Sequence, residues 1–316
     1  MTRALVTGVG GQDGTYLAER LLTDGVEVHA LVLESDARPV HCPDDVVLHV
    51  GDVGDIQATR RLVLDLAPDE VYNLAAISSV AQSWEHPDLV SRVNGMAPVA
   101  LLESARLLQE RGHDVRVVQA SSAEIFGEPD RSPQDEDTWV RPLNPYGAAK
   151  AYAHLAVGVS RQRGLHASSL VLYNHESPRR PAQFVTRKIS STVAAIAQGR
   201  ADQLVLGNLD ARRDWGWAPD YVDAMVRAAR ADTPRDYVIA TGESHTVGDF
   251  VAAAFAAAGV DDWQALVHTD PAFVRPADPT ELVGDSSLAR ETLGWSPTVR
   301  FVDVVARMVA ADLERP

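Results

Sequence analysis

Tyr146 and Lys150 stand four residues apart in the run Pro145-Tyr-Gly-Ala-Ala-Lys150. On a helix that spacing puts both side chains on one face, one turn apart, so the ammonium can lie below the phenol. An ordinary tyrosine titrates near pH 10 and supplies little phenolate at neutral pH, whereas a nearby cation favours the charged form. Upstream, a β-branched run ends in Ala120-Ser121-Ser122-Ala123-Glu124. If the backbone stays extended through 122–124, Ser122 and Glu124 point to the same side. Hydroxyl, phenol and ammonium suit hydride-transfer chemistry at a carbinol carbon, and a carboxylate beside them adds the acid/base that an elimination needs.

A second constellation lies at the N-terminus, in Thr7-Gly8-Val9-Gly10-Gly11-Gln12-Asp13-Gly14. Gly8, Gly11 and Gly14 sit between a strand pattern and a helix beginning near Thr15, the context that a dinucleotide-binding loop requires. The first glycine allows the tight turn, the second lets backbone approach a pyrophosphate, and the third lets helix pack against strand. NAD or NADP is therefore expected. Glu34, where the second strand ends, can accept from a ribose 2′-hydroxyl, which favours NAD, whereas a 2′-phosphate wants an arginine. Asp52, after the third strand, is a candidate adenine contact.

These groups need a frame, and the chain supplies a rhythm of short β-branched runs and longer helical patterns. Residues 4–6, 26–32, 46–50, 70–74, 115–119 and 168–172 read as strands; 16–22, 56–66 and 90–109 read as helices. That alternation predicts an α/β fold with a doubly wound parallel sheet. A Rossmann domain is expected over 1–173. A smaller, partly helical portion is expected over 174–316, with a strand near 237–240 returning to the main sheet.

Composition sets the outer limits. With 316 residues, 46% hydrophobic and 23% charged, the chain is long enough for about two domains and has an ordinary core-forming balance. A net charge of −15 argues against nucleic acid and anionic membrane surfaces unless basic residues gather locally. The lone Cys42 cannot form an internal disulfide, and no Cys/His cluster has zinc spacing, so a cytoplasmic enzyme without a metal is expected. No signal-peptide pattern or long apolar run is read. Trp215, Trp217 and Tyr221 are expected to pack.

Longer runs carry a more specific likeness. Residues 10–19 read Gly-Gly-Gln-Asp-Gly-Thr-Tyr-Leu-Ala-Glu, and 174–180 read Asn-His-Glu-Ser-Pro-Arg-Arg. Residues 184–189 read Phe-Val-Thr-Arg-Lys-Ile, and 207–216 read Gly-Asn-Leu-Asp-Ala-Arg-Arg-Asp-Trp-Gly. Over essentially its whole length the chain resembles the extended short-chain dehydrogenases/reductases, and within them the GDP-mannose 4,6-dehydratase family. The resemblance implies that Tyr146, aided by Lys150, takes the hexose 4-hydroxyl proton while hydride leaves C4 for the nicotinamide. Glu124 then removes the C5 proton and assists loss of the C6 hydroxyl as water, and hydride returns to C6. Ser122 takes the place of a catalytic threonine. The likeness also implies cofactor contacts at Gln12, Asp13, Val53, Leu74, Ala75, Ala76, Ser78, Tyr146, Lys150, His175 and Arg180, and GDP-sugar contacts at Ser78, Ser122, Asn174, Val185, Lys188, Arg213 and Arg275.

The chain departs from that pattern in four places. Leu33 and Glu34 replace paired arginines that serve the 2′-phosphate and an interface loop, and the segment between Ser35 and Val46 is shorter, so a homodimer rather than a tetramer is expected. Ala123 replaces a serine, and Arg275-Pro-Ala-Asp278 is a variant of Arg-Pro-Thr-Glu. Two other activities stay open: reduction of a GDP-4-keto-6-deoxy sugar, and dehydration of another nucleotide sugar. A non-catalytic binding protein is the third class, disfavoured because Ser122, Glu124, Tyr146 and Lys150 are all present.

Overall fold

The computed structural model describes residues 1–36, 39–271 and 281–315. Its frame is a parallel sheet of β1 (Arg3–Thr7), β2 (Glu27–Val32), β3 (Val47–Val50), β4 (Glu70–Asn73), β5 (Arg116–Ala120), β6 (His166–Leu172) and a late strand over Asp236–Ile239. The spatial order is late strand, β6, β5, β4, β1, β2, β3. Winding therefore reverses between β1 and β4, and ligands of such sheets bind outside the carboxyl ends of the strands at that point. The late strand pairs in parallel with β6, Tyr237 opposite Leu170.

Helices cover both faces because the strands are apolar on both sides. On one face lie α1 (Gln12–Thr23) and a helix over Ala218–Arg230. On the other lie α2 (Ile56–Leu66), α3 (Ala97–Glu110) and α4 (Pro145–Gln162). A second core is built from α5 (Val185–Ala197), a helix over Val247–Ala257 and one over Phe301–Leu313, around Trp215, Phe250 and Phe301. Trp215 and Tyr221 are packed in the interior. Residues after 174 thus divide: helix 218–230, strand 236–239 and the short helix over 287–293 belong to the main layers, and helices 185–197, 247–257 and 301–313 build the second lobe around Trp215, whose strand pairs with 174–176.

Two helices differ from the sequence reading. The first begins at Gln12 rather than near Thr15, because Gly11 serves as its N-cap and accepts from the Thr15 N–H at 3.1 Å. The helix expected over 90–109 is interrupted: a short helix at Pro87–Ser91 is followed by a π-turn at Arg92–Met96 before α3 starts. Pro98 has no N–H for the carbonyl four residues back, and the π-turn absorbs the missing bond.

Candidate active site

The sheet end is organised by buried amides. Thr7 Oγ1 donates to Asn73 Oδ1 at 2.6 Å, Asn73 Nδ2 donates to Gln119 Oε1 at 2.7 Å, and Gln119 Nε2 donates to Ala120 O at 2.8 Å. This chain ties the tips of β1, β4 and β5 together. Lys150 Nζ donates to the same Ala120 carbonyl at 2.9 Å, so the chain also sets the height of α4 above the sheet.

Pro145 opens α4, and Asn144 caps it by accepting from Gly147 N at 2.8 Å. The other end of the Asn144 amide donates to Glu124 Oε2 at 2.9 Å. A Cβ on Gly147 would stand 2.5 Å from Glu124 O, so only glycine lets the helix start approach this closely. Ser122 Oγ accepts from Glu124 N at 3.2 Å, and Ser122 lies close enough to the Tyr146 phenol to pull its pKa down. Ser122, Glu124 and Tyr146 are therefore neighbours, although not by the route expected. Residues 123–125 form a 3-10 turn capped by Ser122, and an extended strand does not continue through Glu124.

The charges also depart from expectation. Tyr146 is pushed up to about 12, first by burial, then by the Glu124 and Asp13 carboxylates, while Ser122 and Arg180 pull it down. Lys150, with its Nζ 5.9 Å from the Tyr146 ring centre, is brought down to about 8 by burial, against the pull of Asp13. Burial thus works against the phenolate in the protein alone, and Ser122 and Arg180 are the neighbours that favour it.

The glycine loop fits a dinucleotide. Gly8 has φ +75°, and a Cβ there would lie 2.7 Å from Ala75 N; one on Gly14 would lie 2.2 Å from Gly8 O. Gly11 brings no side chain to cap α1, leaving the first-turn N–H groups for an anion. Leu74, Ala75 and Ala76 follow β4 directly, with Ala75 N donating to Thr7 Oγ1 at 3.1 Å, and Ser78 is exposed. Asn94, placed by the π-turn, holds this loop by bonds of 2.9 Å to both the N–H and the carbonyl of Ile77. Glu34 is exposed after β2; Asp52 accepts from Gly54 N at 2.7 Å, and Val53 is buried.

From the second lobe, β7 (Asn174–Glu176) pairs in parallel with a strand over Trp215–Trp217. It brings His175 to Asp13 and places Glu176 3.3 Å from Arg180. Val185 opens α5, with Lys188 one turn on, and Arg213 is buried in the two-residue strand Arg212–Arg213. Next to it Asp214 accepts from Thr241 N and Oγ1 and from Gly242 N, and burial still lifts its pKa to about 6. Arg275 lies outside the described residues. Arg187, one of the basic residues that could have served phosphate, is paired with buried Asp312. Among the described residues no His, Cys, Asp or Glu cluster could hold a metal. No helix among them is long and apolar enough to cross a membrane.

Composition and motif spacing passed over Asn73, Gln119, Asn94 and Asn144. Their signal was a polar amide within an apolar strand or helix, or directly before a helix-opening proline.

A doubly wound sheet with a glycine loop at its switch point and Ser122, Tyr146 and Lys150 at its carboxyl edge defines a nicotinamide-dependent enzyme of the extended short-chain dehydrogenase/reductase kind. A family model described as GDP-mannose 4,6 dehydratase matches residues 5–308. GDP-mannose 4,6 dehydratase 1 of Arabidopsis thaliana is 43% identical over 98% of this chain and 90% of its own length. GDP-mannose 4,6-dehydratase of Yersinia enterocolitica is 39% identical over 100% and 95%. The solved Thermus thermophilus UDP-glucose 4-epimerase, in complex with NAD, superposes with a TM-score of 0.86 at 29% identity, covering 98% of this chain and 99% of that one. The chain belongs to the GDP-mannose 4,6-dehydratase family.

Proposed function

We propose that this protein converts GDP-D-mannose to GDP-4-keto-6-deoxy-D-mannose and water. The observation that carries the reading is Glu124, a carboxylate held by Asn144 on the turn that Ser122 caps, next to the Tyr146 phenol. A plain reductase has no work for it. A bound nicotinamide dinucleotide supplies hydride acceptance from C4 and hydride return to C6. Tyr146 takes the 4-hydroxyl proton and Ser122 bonds the 4-oxygen. Glu124 takes the C5 proton, made acidic by the neighbouring ketone, and passes a proton to the departing C6 hydroxyl, which leaves as water. C6 gains hydride while C5 regains a proton, balanced by the one that Tyr146 took from the 4-hydroxyl, so no cofactor is consumed.

The dinucleotide is assigned to Gly8, Gly11, Gly14 and the 74–78 loop, and the GDP-sugar to Ser78, Asn174, Val185, Lys188, Arg213 and Arg275. Exposed Glu34 after β2 supports NAD over NADP. The test is purified protein with GDP-mannose and no added reductant. A keto sugar formed without net NAD(P)H turnover supports dehydration. Inertness on GDP-mannose, with NAD(P)H oxidised on the 4-keto sugar, overturns it in favour of a reductase. Titration with GDP, dTDP and UDP reads the base.

The reading includes a homodimer. Tyr152, Leu155 and Val159, which share one face of α4, are 53%, 57% and 59% exposed, and Met96 beside them is 55% exposed. An apolar stripe at helical spacing suits a self-complementary twofold contact. Leu155→Glu is expected to give a monomer in sedimentation. The reduced, unpaired Cys42 supports a cytoplasmic setting.

A further inference from the structure

His175 is 7% exposed, and both of its ring nitrogens face acceptors. Nδ1 lies 2.7 Å from the Tyr173 carbonyl, and Nε2 lies 2.8 Å from Asp13 Oδ2. A carbonyl has no proton to give, so Nδ1 is the donor there. A neutral ring would then turn the Nε2 lone pair onto a carboxylate oxygen, which is repulsive. A proton on each nitrogen satisfies both contacts and makes the ring an imidazolium.

The surroundings agree. The ring stacks on Tyr221 with centres 4.3 Å apart, a partner suited to a cation. The charged groups facing it are Asp13 from α1, Glu176 beside it in β7 and Arg180 from the loop that follows. Burial opposes the imidazolium, but Asp13 outweighs burial and Arg180 and raises the His175 pKa. Burial likewise opposes the Asp13 carboxylate, and His175 outweighs it. Position is fixed from outside the pair: Gln12 Nε2 donates to the His175 carbonyl at 3.0 Å, and Ser177 Oγ donates to Gln12 Oε1 at 2.8 Å. The two runs 10–19 and 174–180 are thus two halves of one clasp.

Asp13 sits in the first turn of α1, where a negative charge would repel a bound pyrophosphate. We propose that Asp13 and His175 form a permanent carboxylate–imidazolium pair that locks the glycine loop to the second lobe and cancels the Asp13 charge at the pyrophosphate end of α1. The role in binding rests on the reading of that loop as the dinucleotide site; the protonation state does not. His175 is here a positioning residue.

Two measurements on the full chain test it. In imidazole 15N spectra, the resonance lost in His175→Gln is expected to stay doubly protonated at pH 8 in the wild type and to be singly protonated in Asp13→Asn. In calorimetric titration with NAD and NADP at low salt, His175→Gln is expected to weaken binding about tenfold, less in high salt. Asp13→Asn/His175→Gln is expected to recover most of that loss. A singly protonated His175 at pH 7 in a wild type that binds dinucleotide overturns the pair. A double variant as weak as His175→Gln overturns the charge-cancelling role. A wild type that binds neither dinucleotide, with His175 still doubly protonated, overturns the cofactor reading and the binding role together and leaves the ion pair standing.

Discussion

The two rims of the sheet handle charge in opposite ways. At the amino rim every strand except β3 begins on a charged residue or histidine: Arg3, Glu27, Glu70, Arg116, His166 and Asp236. Most have partners. Arg3 pairs with Glu27, Arg230 bridges Glu70 and Asp24, and Arg161 pairs with Asp236. At the carboxyl rim, uncharged amides tie the strands, and burial shifts the titratable groups gathered above them: Tyr146 up to about 12, Lys150 down to about 8, Glu176 upward. A buried tyrosine occurs at each end. Tyr72 donates to Glu70 at 2.8 Å, and burial with that carboxylate holds its proton firmly. Tyr146 is opposed by Glu124, while Ser122 and Arg180 draw its pKa down. Burial is common to both; the difference lies in neighbours that can release a proton, which marks one end as reactive and the other as structural.

The comparison breaks first, and hardest, at Tyr146. Tyr146→Phe is expected to lower kcat about 10³-fold or more, with dinucleotide affinity within a few fold of wild type by calorimetry. Near-normal turnover would remove Tyr146 as the acid/base. Glu124→Gln is expected to cost about 10²–10³-fold in keto-sugar formation while C4 oxidation persists, visible as transient reduced-cofactor absorbance. Full-rate product formation by that variant would leave the carboxylate without its assigned role.

Much of this end was legible in sequence because covalent spacing fixes it. Four residues on a helix put Lys150 under Tyr146 whatever else the chain does, and the Gly8-Gly11-Gly14 spacing between strand and helix permits one kind of turn. What depended on tertiary contact was not legible. The 3-10 turn at 123–125 lies close against Gly147 at the start of α4, and the energetic balance at Tyr146 comes from burial that no spacing reveals. The Asp13–His175 contact joins residues 162 apart, and local patterns carry no information on such a pair.

Lys150 sharpens the contrast, because it should harm the fold that it serves. Its pKa near 8 lies below its ordinary value of 10.5, so between those values the unfolded chain binds more protons and stability rises with pH. Below pH 8 the cost of the buried ammonium is fully present, about 3 kcal/mol. Lys150→Met is therefore expected to be inactive yet more resistant to urea at pH 7, with its advantage fading between pH 8 and 10.5. Equal destabilisation at both pH values would mean that the ammonium is paired rather than merely tolerated.

The smallest effect should come from the amino rim, and there it should be purely structural. Glu70 accepts from the Tyr72 hydroxyl at 2.8 Å, and Arg230 Nε lies 3.2 Å from its other oxygen. Arg230 is partly exposed and keeps Asp24, so much of its pairing survives the loss of Glu70. Glu70→Gln retains an acceptor for Tyr72 but removes the charge, and a cost of about 1–2 kcal/mol is expected, read as a lower urea midpoint. kcat and its pH profile should not move, because Glu70 and Tyr146 stand at opposite rims of the sheet and Tyr72, the titratable side chain that Glu70 touches, holds its proton firmly. A shifted pH profile in Glu70→Gln would show that the two rims are electrostatically coupled through the sheet, and the division between a structural end and a reactive end would fail.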